Sequence, residues 1–292
     1  MMNMNPWPLI CFSLLTQMSV GLFIISESTG LAFSRRFSSA VLGPLRLLTR
    51  SLVLVLSILA VVLSFFHLGK PWRVLNILNN LGSSWLSREI MFMILFILLV
   101  VVSTILEWRK VRGQKIQLVL FLIGGLSGLF LVVAMFRLYM LPTVPVWNHF
   151  ATPIMFFLVC FLLGSQLTAL SWTAYFDKSK SSQLQEIRVY WNQKALRRIE
   201  NLSLVLTVFI VLGAILLLIQ PIIQNNAVVL LIRILLSLLG VFILGKEWIP
   251  FRPIQTKKQT NHRLVYTVFL VLFLAEVLGR YLFYAVYSRL GL

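Results

Sequence analysis

Residues 88–107 read REIMFMILFILLVVVSTILE, and the seventeen positions from Ile90 to Leu106 carry no charge. A helix rises about 1.5 Å per residue, so twenty residues reach about 30 Å, the thickness of a bilayer's hydrocarbon core. Such a stretch reads as a membrane span. Working outward, seven more stretches have the same character: 8–33, 50–67, 116–139, 151–175, 201–220, 227–245 and 264–286. The sequence therefore predicts an all-α membrane protein: one bundle of eight transmembrane helices, a single integral membrane domain over residues 1–292, with no soluble domain and no internal repeat.

Composition agrees. The chain has 292 residues, 59% of them hydrophobic and 12% charged, and its mean hydropathy is +0.93. Soluble domains carry about 25% charged residues, so the lipid bilayer must serve as solvent here. A net charge of +18 would by itself suggest nucleic acid. Lys and Arg, however, fall in short runs between apolar segments, which excludes that class. Cys11 and Cys160 form no CxxC pair, so no iron–sulfur ligation is expected from this chain. The start, MMNMNPWPLICFSLL, lacks a positive n-region and reads as a retained first helix rather than a cleaved signal peptide.

The basic residues set the expected orientation. Arg35, Arg36, Arg46 and Arg50 follow the first span, and Arg109, Lys110, Arg112 and Lys115 the third. Lys178, Lys180, Arg188, Lys194, Arg197 and Arg198 follow the fifth, and Lys246, Arg252, Lys257, Lys258 and Arg263 the seventh. Those nineteen of twenty-six Lys and Arg residues mark the cytoplasmic loops. Both termini are then periplasmic. The cytoplasmic loops are too short for a nucleotide-binding or catalytic domain, so any chemistry belongs within the helices or at the outer surface.

A charge inside a span costs roughly 2.5–3.5 kcal/mol on insertion scales and needs a partner or a purpose. Glu89 opens the third span, Arg137 closes the fourth, Arg233 lies early in the seventh, and Glu276 and Arg280 lie in the last half of the eighth. His67 ends the second span. All map to the outer half of the membrane. Glu27, near the cytoplasmic end of the first span, is the exception. Glu276 and Arg280, four residues apart, share a helix face and can pair. Charges from several helices at one depth read as a polar pocket, with a structural ion-pair network as the alternative. A carboxylate there can take a proton and pass it to water, with Arg137 or Arg233 keeping it ionised. His67, close to Glu89, is a candidate for proton handling.

Three histidines bound the haem question. His262 falls on the side opposite His67 and His149, and His149 lies in a loop, TVPVWNHFATP. No facing pair within the bundle emerges, and neither haem nor any metal site is expected. The GGLSG stretch, Gly124 to Gly128, reads as close helix packing. Trp7, Trp72, Trp85, Trp147 and Trp248 fall near segment ends as an interfacial belt.

Four blocks, WPLICFSLLTQMSVGLFI, HLGKPWRVLNILNNLGSSWLSREI, RLYMLPTVPVWNHFATPIMFFL and AEVLGRYLFYA, resemble the DmsC family, the membrane anchor of anaerobic dimethyl sulfoxide reductase. They follow the family's order over nearly the whole chain. The resemblance implies an anchor subunit in the bacterial inner membrane that oxidises menaquinol to menaquinone during anaerobic respiration, and does not itself reduce the terminal substrate. It implies two partners on the periplasmic face: a four-cluster ferredoxin-like iron–sulfur subunit and a molybdopterin catalytic subunit. The family's essential glutamate falls on Glu89, its histidine on His67, and its R.Y motif on Arg137 and Tyr139. Together with Arg233, Glu276 and Arg280 these form the expected quinol site, with Glu89 and His67 as its catalytic pair. The rival readings are a secondary transporter, which would favour midplane charges and internal repeats, and a tether without a quinone site. The terminal oxidant, whether dimethyl sulfoxide or another S- or N-oxide, is not written in this sequence.

Reporter fusions test the orientation. Fusions after residues 40, 112, 185 and 257 are expected to report cytoplasm, and those after 78, 146 and 224 periplasm. The inverse pattern would put Glu89 on the cytoplasmic side.

Overall fold

A computed structural model describes residues 6–66, 80–111, 113–178, 187–218, 226–246 and 262–285. It contains eight long helices: α1 (Trp7–Ser34), α2 (Ser39–Phe65), α3 (Trp85–Trp108), α4 (Gln114–Tyr139), α5 (Ala151–Lys178), α6 (Leu196–Leu218), α7 (Ala227–Lys246) and α8 (His262–Ala285). All eight are long and apolar enough to cross a membrane. No strand occurs among the described residues. Each helix packs against the next in sequence, and α1 also touches α4, α5 and α8. α1 and α5 form the centre, 72% and 61% enclosed over their most apolar stretches, against 28% for α2 and α3.

Two glycines set the central contact. A Cβ on Gly21 of α1 would strike the Cys160 carbonyl oxygen of α5, and one on Gly164 would strike the Gly21 backbone. Neither obstacle is a movable side chain, so backbone packs on backbone here. The GGLSG stretch does similar work at lower density. Gly124 faces the Phe23 ring, and Gly128 faces Val20 and Phe96. These residues join a core of Leu22, Phe23, Phe96, Leu131, Met135, Phe156 and Cys160.

The second helix differs from the sequence expectation. It begins at Ser39 rather than near residue 50, with Ser38 extended just before it and Pro44 inside its second turn. Arg46 and Arg50 are therefore helical and buried, 7% and 2% exposed, not loop residues. Arg50 donates through Nε and Nη2 to both oxygens of Glu27, at 2.7 and 3.0 Å. It also donates to the Ser103 carbonyl at 2.7 Å and to Gln117 Oε1 at 2.9 Å. Glu107 completes the group, accepting from Gln117 Nε2 at 3.0 Å and lying 3.5 Å from Arg50 and 3.9 Å from Arg46. Arg46 donates to the Gly30 carbonyl at 3.3 Å. Two guanidiniums and two carboxylates from α1, α2 and α3 thus cancel in net charge, and Gln117 of α4 bridges them. That cancellation is what lets α2 continue past residues that a hydropathy reading assigns to a loop.

The sixth span also starts early. A π-helical turn, Trp191–Ala195, leads directly into α6. It places Trp191, fully enclosed, 4.9 Å from the Trp172 ring of α5, with its indole N–H on Thr173 Oγ1 at 3.2 Å.

Removing one partner of a buried pair strands the other charge, at a cost of about 3–5 kcal/mol. Arg50→Gln is therefore expected to lower the thermal midpoint and the membrane yield of the full-length protein markedly. Glu27→Gln combined with Arg50→Gln should recover much of that loss. Equal losses in the single and double variants would show that the Glu27–Arg50 pair is not what holds this end together.

Candidate functional site

The starts of α1, α3, α5 and α7 and the ends of α2, α4, α6 and α8 lie at one end of the bundle. Glu89 sits in the second turn of α3, which Ser84 caps by accepting the Ser87 N–H at 3.4 Å. It is 6% exposed, and among the described residues it makes no ion pair or hydrogen bond. Tyr139, the last residue of α4, and Tyr284, near the end of α8, join hydroxyls at 2.9 Å. Both lie at the same end of the bundle as Glu89. A tight aromatic group surrounds the tyrosines. The Tyr139 ring meets Trp147 at 5.4 Å and Phe283 at 5.3 Å, both edge to face. Trp147 Nε1 donates to the Phe283 carbonyl at 2.7 Å, tying the α4–α5 connection to α8.

One layer deeper lie the remaining charges. Glu276 pairs with Arg233 of α7 at 3.5 Å. The guanidinium of Arg233 lies on Gly279, where any larger residue would displace it. Arg280 does not take Glu276 as its hydrogen-bond partner, as their spacing had suggested. It donates to Gln17 Oε1 of α1, and its guanidinium lies 4.1 Å from the Phe156 ring of α5. Gln17 in turn donates from Nε2 to the Phe156 carbonyl at 3.0 Å. A ring face can hold a guanidinium where no water is at hand.

The structure thus gathers Glu89, Tyr139, Arg233, Glu276 and Arg280 at one end, and all but Tyr139 are almost fully enclosed. It places neither arginine on Glu89: Arg233 is committed to Glu276, and Arg137 is exposed, its guanidinium 5.2 Å from the Trp85 ring. His67 lies outside the described residues, as do Trp72 and Trp248. His149 accepts the Ala151 N–H on Nδ1 at 3.2 Å, capping the start of α5. Tyr284 and Gln17 were not singled out in the sequence. Tyr284 lies within the quoted AEVLGRYLFYA block, and the matching end positions of α4 and α8 were the available signal.

Glu89 is thus a buried carboxyl with no cation partner among the described residues, at the end of the bundle that also holds the Tyr139–Tyr284 pair and its aromatic rings.

Residues 1–286 match the protein family described as DMSO reductase anchor subunit (DmsC). Among curated proteins, the C subunit of anaerobic dimethyl sulfoxide reductase from Escherichia coli K12 is 30% identical over 171 residues, 56% of this protein and 56% of that one. The YnfH subunit of anaerobic dimethyl sulfoxide reductase from the same organism is 30% identical over 172 residues, 56% of this protein and 57% of that one. The C subunit of the Haemophilus influenzae enzyme is 26% identical over 168 residues, 55% and 56% of the two proteins. Each match spans little more than half of the relative. On the family match, which runs from the first residue through the last described turn of α8, the protein belongs to the DMSO reductase anchor subunits of the DmsC family.

Proposed function

We propose that this protein is the quinol-oxidising anchor of a dimethyl sulfoxide reductase-type complex in the bacterial inner membrane, with the Glu89 end facing the periplasm. The observation that carries the reading is Glu89 itself: a buried carboxyl with no counter-ion among the described residues, at the same end of the bundle as the Tyr139–Tyr284 hydroxyl pair. Oxidising a quinol to a quinone releases two electrons and two protons. Glu89 accepts a proton from a quinol hydroxyl, and His67, by its place in the HLG block, shares the proton handling. Tyr139 and Tyr284 offer hydroxyls to the ligand's polar edge. Arg233, Glu276 and Arg280 line the deeper wall and are held by one another, by Gln17 and by aromatic faces. The electrons leave to an iron–sulfur subunit docked at the same end, then to a molybdopterin subunit that reduces an S- or N-oxide. Menaquinol is the substrate the reading assigns, and no haem or cluster of its own is assigned to this protein.

Glu89→Gln keeps the side chain's size and removes the proton acceptor. The variant is expected to insert and assemble at wild-type levels while menaquinol-dependent turnover falls to background. A reduced viologen dye, which feeds the extrinsic subunits directly, should retain its rate. Undiminished menaquinol turnover would remove Glu89 from the mechanism. Loss of dye and menaquinol activity together, with less complex in the membrane, would make Glu89 a structural strut.

A further inference from the structure

The end of the bundle that holds Glu89 also carries two cations whose charges the described residues leave uncompensated. Arg88 of α3 and Arg137 of α4 share one aromatic side chain. Their guanidinium carbons lie 4.3 and 5.2 Å from the centre of the Trp85 ring. Arg88 donates from Nε to the Leu81 carbonyl at 2.9 Å and from Nη2 to the Gly82 carbonyl at 2.6 Å, which leaves Nη1 free of a described partner. Arg137 is exposed and makes no ion pair or hydrogen bond among the described residues. Glu89 follows Arg88 in sequence but turns into the bundle, about 100° around the helix.

Two positive charges on one indole repel each other, and an indole face offsets only part of that. An anion placed between them restores the balance. The surface beneath indicates which anion. Phe92 is one helical turn below Arg88 on the same face of α3, and Phe130 is two turns below Arg137 on the same face of α4. These two rings stack at 5.4 Å across the α3–α4 groove, and Phe130 is 51% exposed. Leu126, Leu122 and Ile123 of α4 and Leu95 and Val102 of α3 are exposed farther along the same two helix faces. A dicationic, indole-backed cleft at the membrane surface, above an apolar groove running into the bilayer, has the layout of a charged headgroup above its acyl chains.

We propose that Trp85, Arg88 and Arg137 form a binding site for the phosphate of an anionic phospholipid, whose acyl chain lies along the Phe92–Phe130 groove. Arg137 donates to the phosphate oxygens as a free fork, and Arg88 contributes its remaining N–H groups while the two backbone carbonyls fix its orientation. The site is distinct from the enclosed Glu89 group and does not depend on the quinol reading.

The test is native mass spectrometry of the purified full-length protein in mild detergent, titrated with phosphatidylglycerol and separately with phosphatidylcholine. The wild type is expected to hold one phosphatidylglycerol selectively. Losing a charge-assisted contact costs about 1.5–3 kcal/mol, so Arg137→Gln should weaken that adduct by about tenfold or more and leave phosphatidylcholine adducts unchanged. Trp85→Leu, which frees both guanidiniums, should also abolish the selectivity. Thermal melting and helix content of both variants, which alter only half-buried or exposed positions, control for misfolding. Glycerol phosphate added in excess distinguishes the sources of the anion. Retained lipid selectivity in its presence supports a site for the whole lipid, whereas full displacement shows a simple anion site and overturns the proposal. Equal phosphatidylglycerol binding in wild type and Arg137→Gln overturns it too. So does selective binding that appears only when a large acidic protein partner is docked on these residues.

Discussion

Inside a bilayer a charge has no water to fall back on, and the Arg50–Glu27 pair shows the consequence. Arg50 satisfies its guanidinium entirely from protein: both oxygens of Glu27, the Ser103 carbonyl and Gln117 Oε1. Each acceptor residue comes from a different helix, so the requirement of one side chain fixes the mutual position of α1, α2, α3 and α4. Glu107 could not stay buried beside these groups without Arg46 and Arg50. The result is a neutral knot at one end of the bundle. Its energetic value lies less in attraction than in the large penalty for any arrangement that separates its members.

The same rule applied at the other end gives a different outcome. Glu276 has Arg233, and Arg280 has Gln17 and the Phe156 ring. Glu89 has no cation partner among the described residues. A structure that had to be no more than stable could have supplied one, since Arg137 lies at the adjacent helix end. Arg137 turns to Trp85 and the surface instead. One end of the bundle sets each buried carboxylate against a guanidinium, and at the other Glu89 has no such partner among the described residues.

The eight spans were legible because apolarity summed over twenty residues is insensitive to any single position. The start of α2 was not. Pro44, Arg46 and Arg50 break the apolar window, and the carboxylates that neutralise the two arginines, Glu27 and Glu107, lie 23 residues before and 57 residues after Arg50. Hydropathy is local, and the compensation is tertiary. Glu276 shows the same limit. The four-residue spacing to Arg280 is a correct statement about one helix face, but Arg233 from a neighbouring helix takes the carboxylate, and Gly279 makes the room for it. Glu89 stood out in the sequence because a carboxylate at the head of so apolar a helix is unusual. Tyr284 did not, because a tyrosine near a span end reads equally well as part of the interfacial belt.

The two ends are joined through α1. Gln17, Gly21 and Glu27 lie along this one central helix, spaced by about one and then nearly two turns. Gly21 lets α1 approach α5 to backbone contact at Gly164. That approach brings Gln17, one turn away, within reach of the Phe156 carbonyl, where its amide is held so that its oxygen can take Arg280. Farther along, the same helix carries Glu27 into the guanidinium fork of Arg50. A side chain at position 21 would therefore do more than open the α1–α5 seam. By lifting α1 away from α5 it would loosen the Gln17 bridge at one end and strain the Glu27 pair at the other. The smallest residue in the bundle's centre thus sets the geometry of both charged groups, while contributing no polar side chain to either.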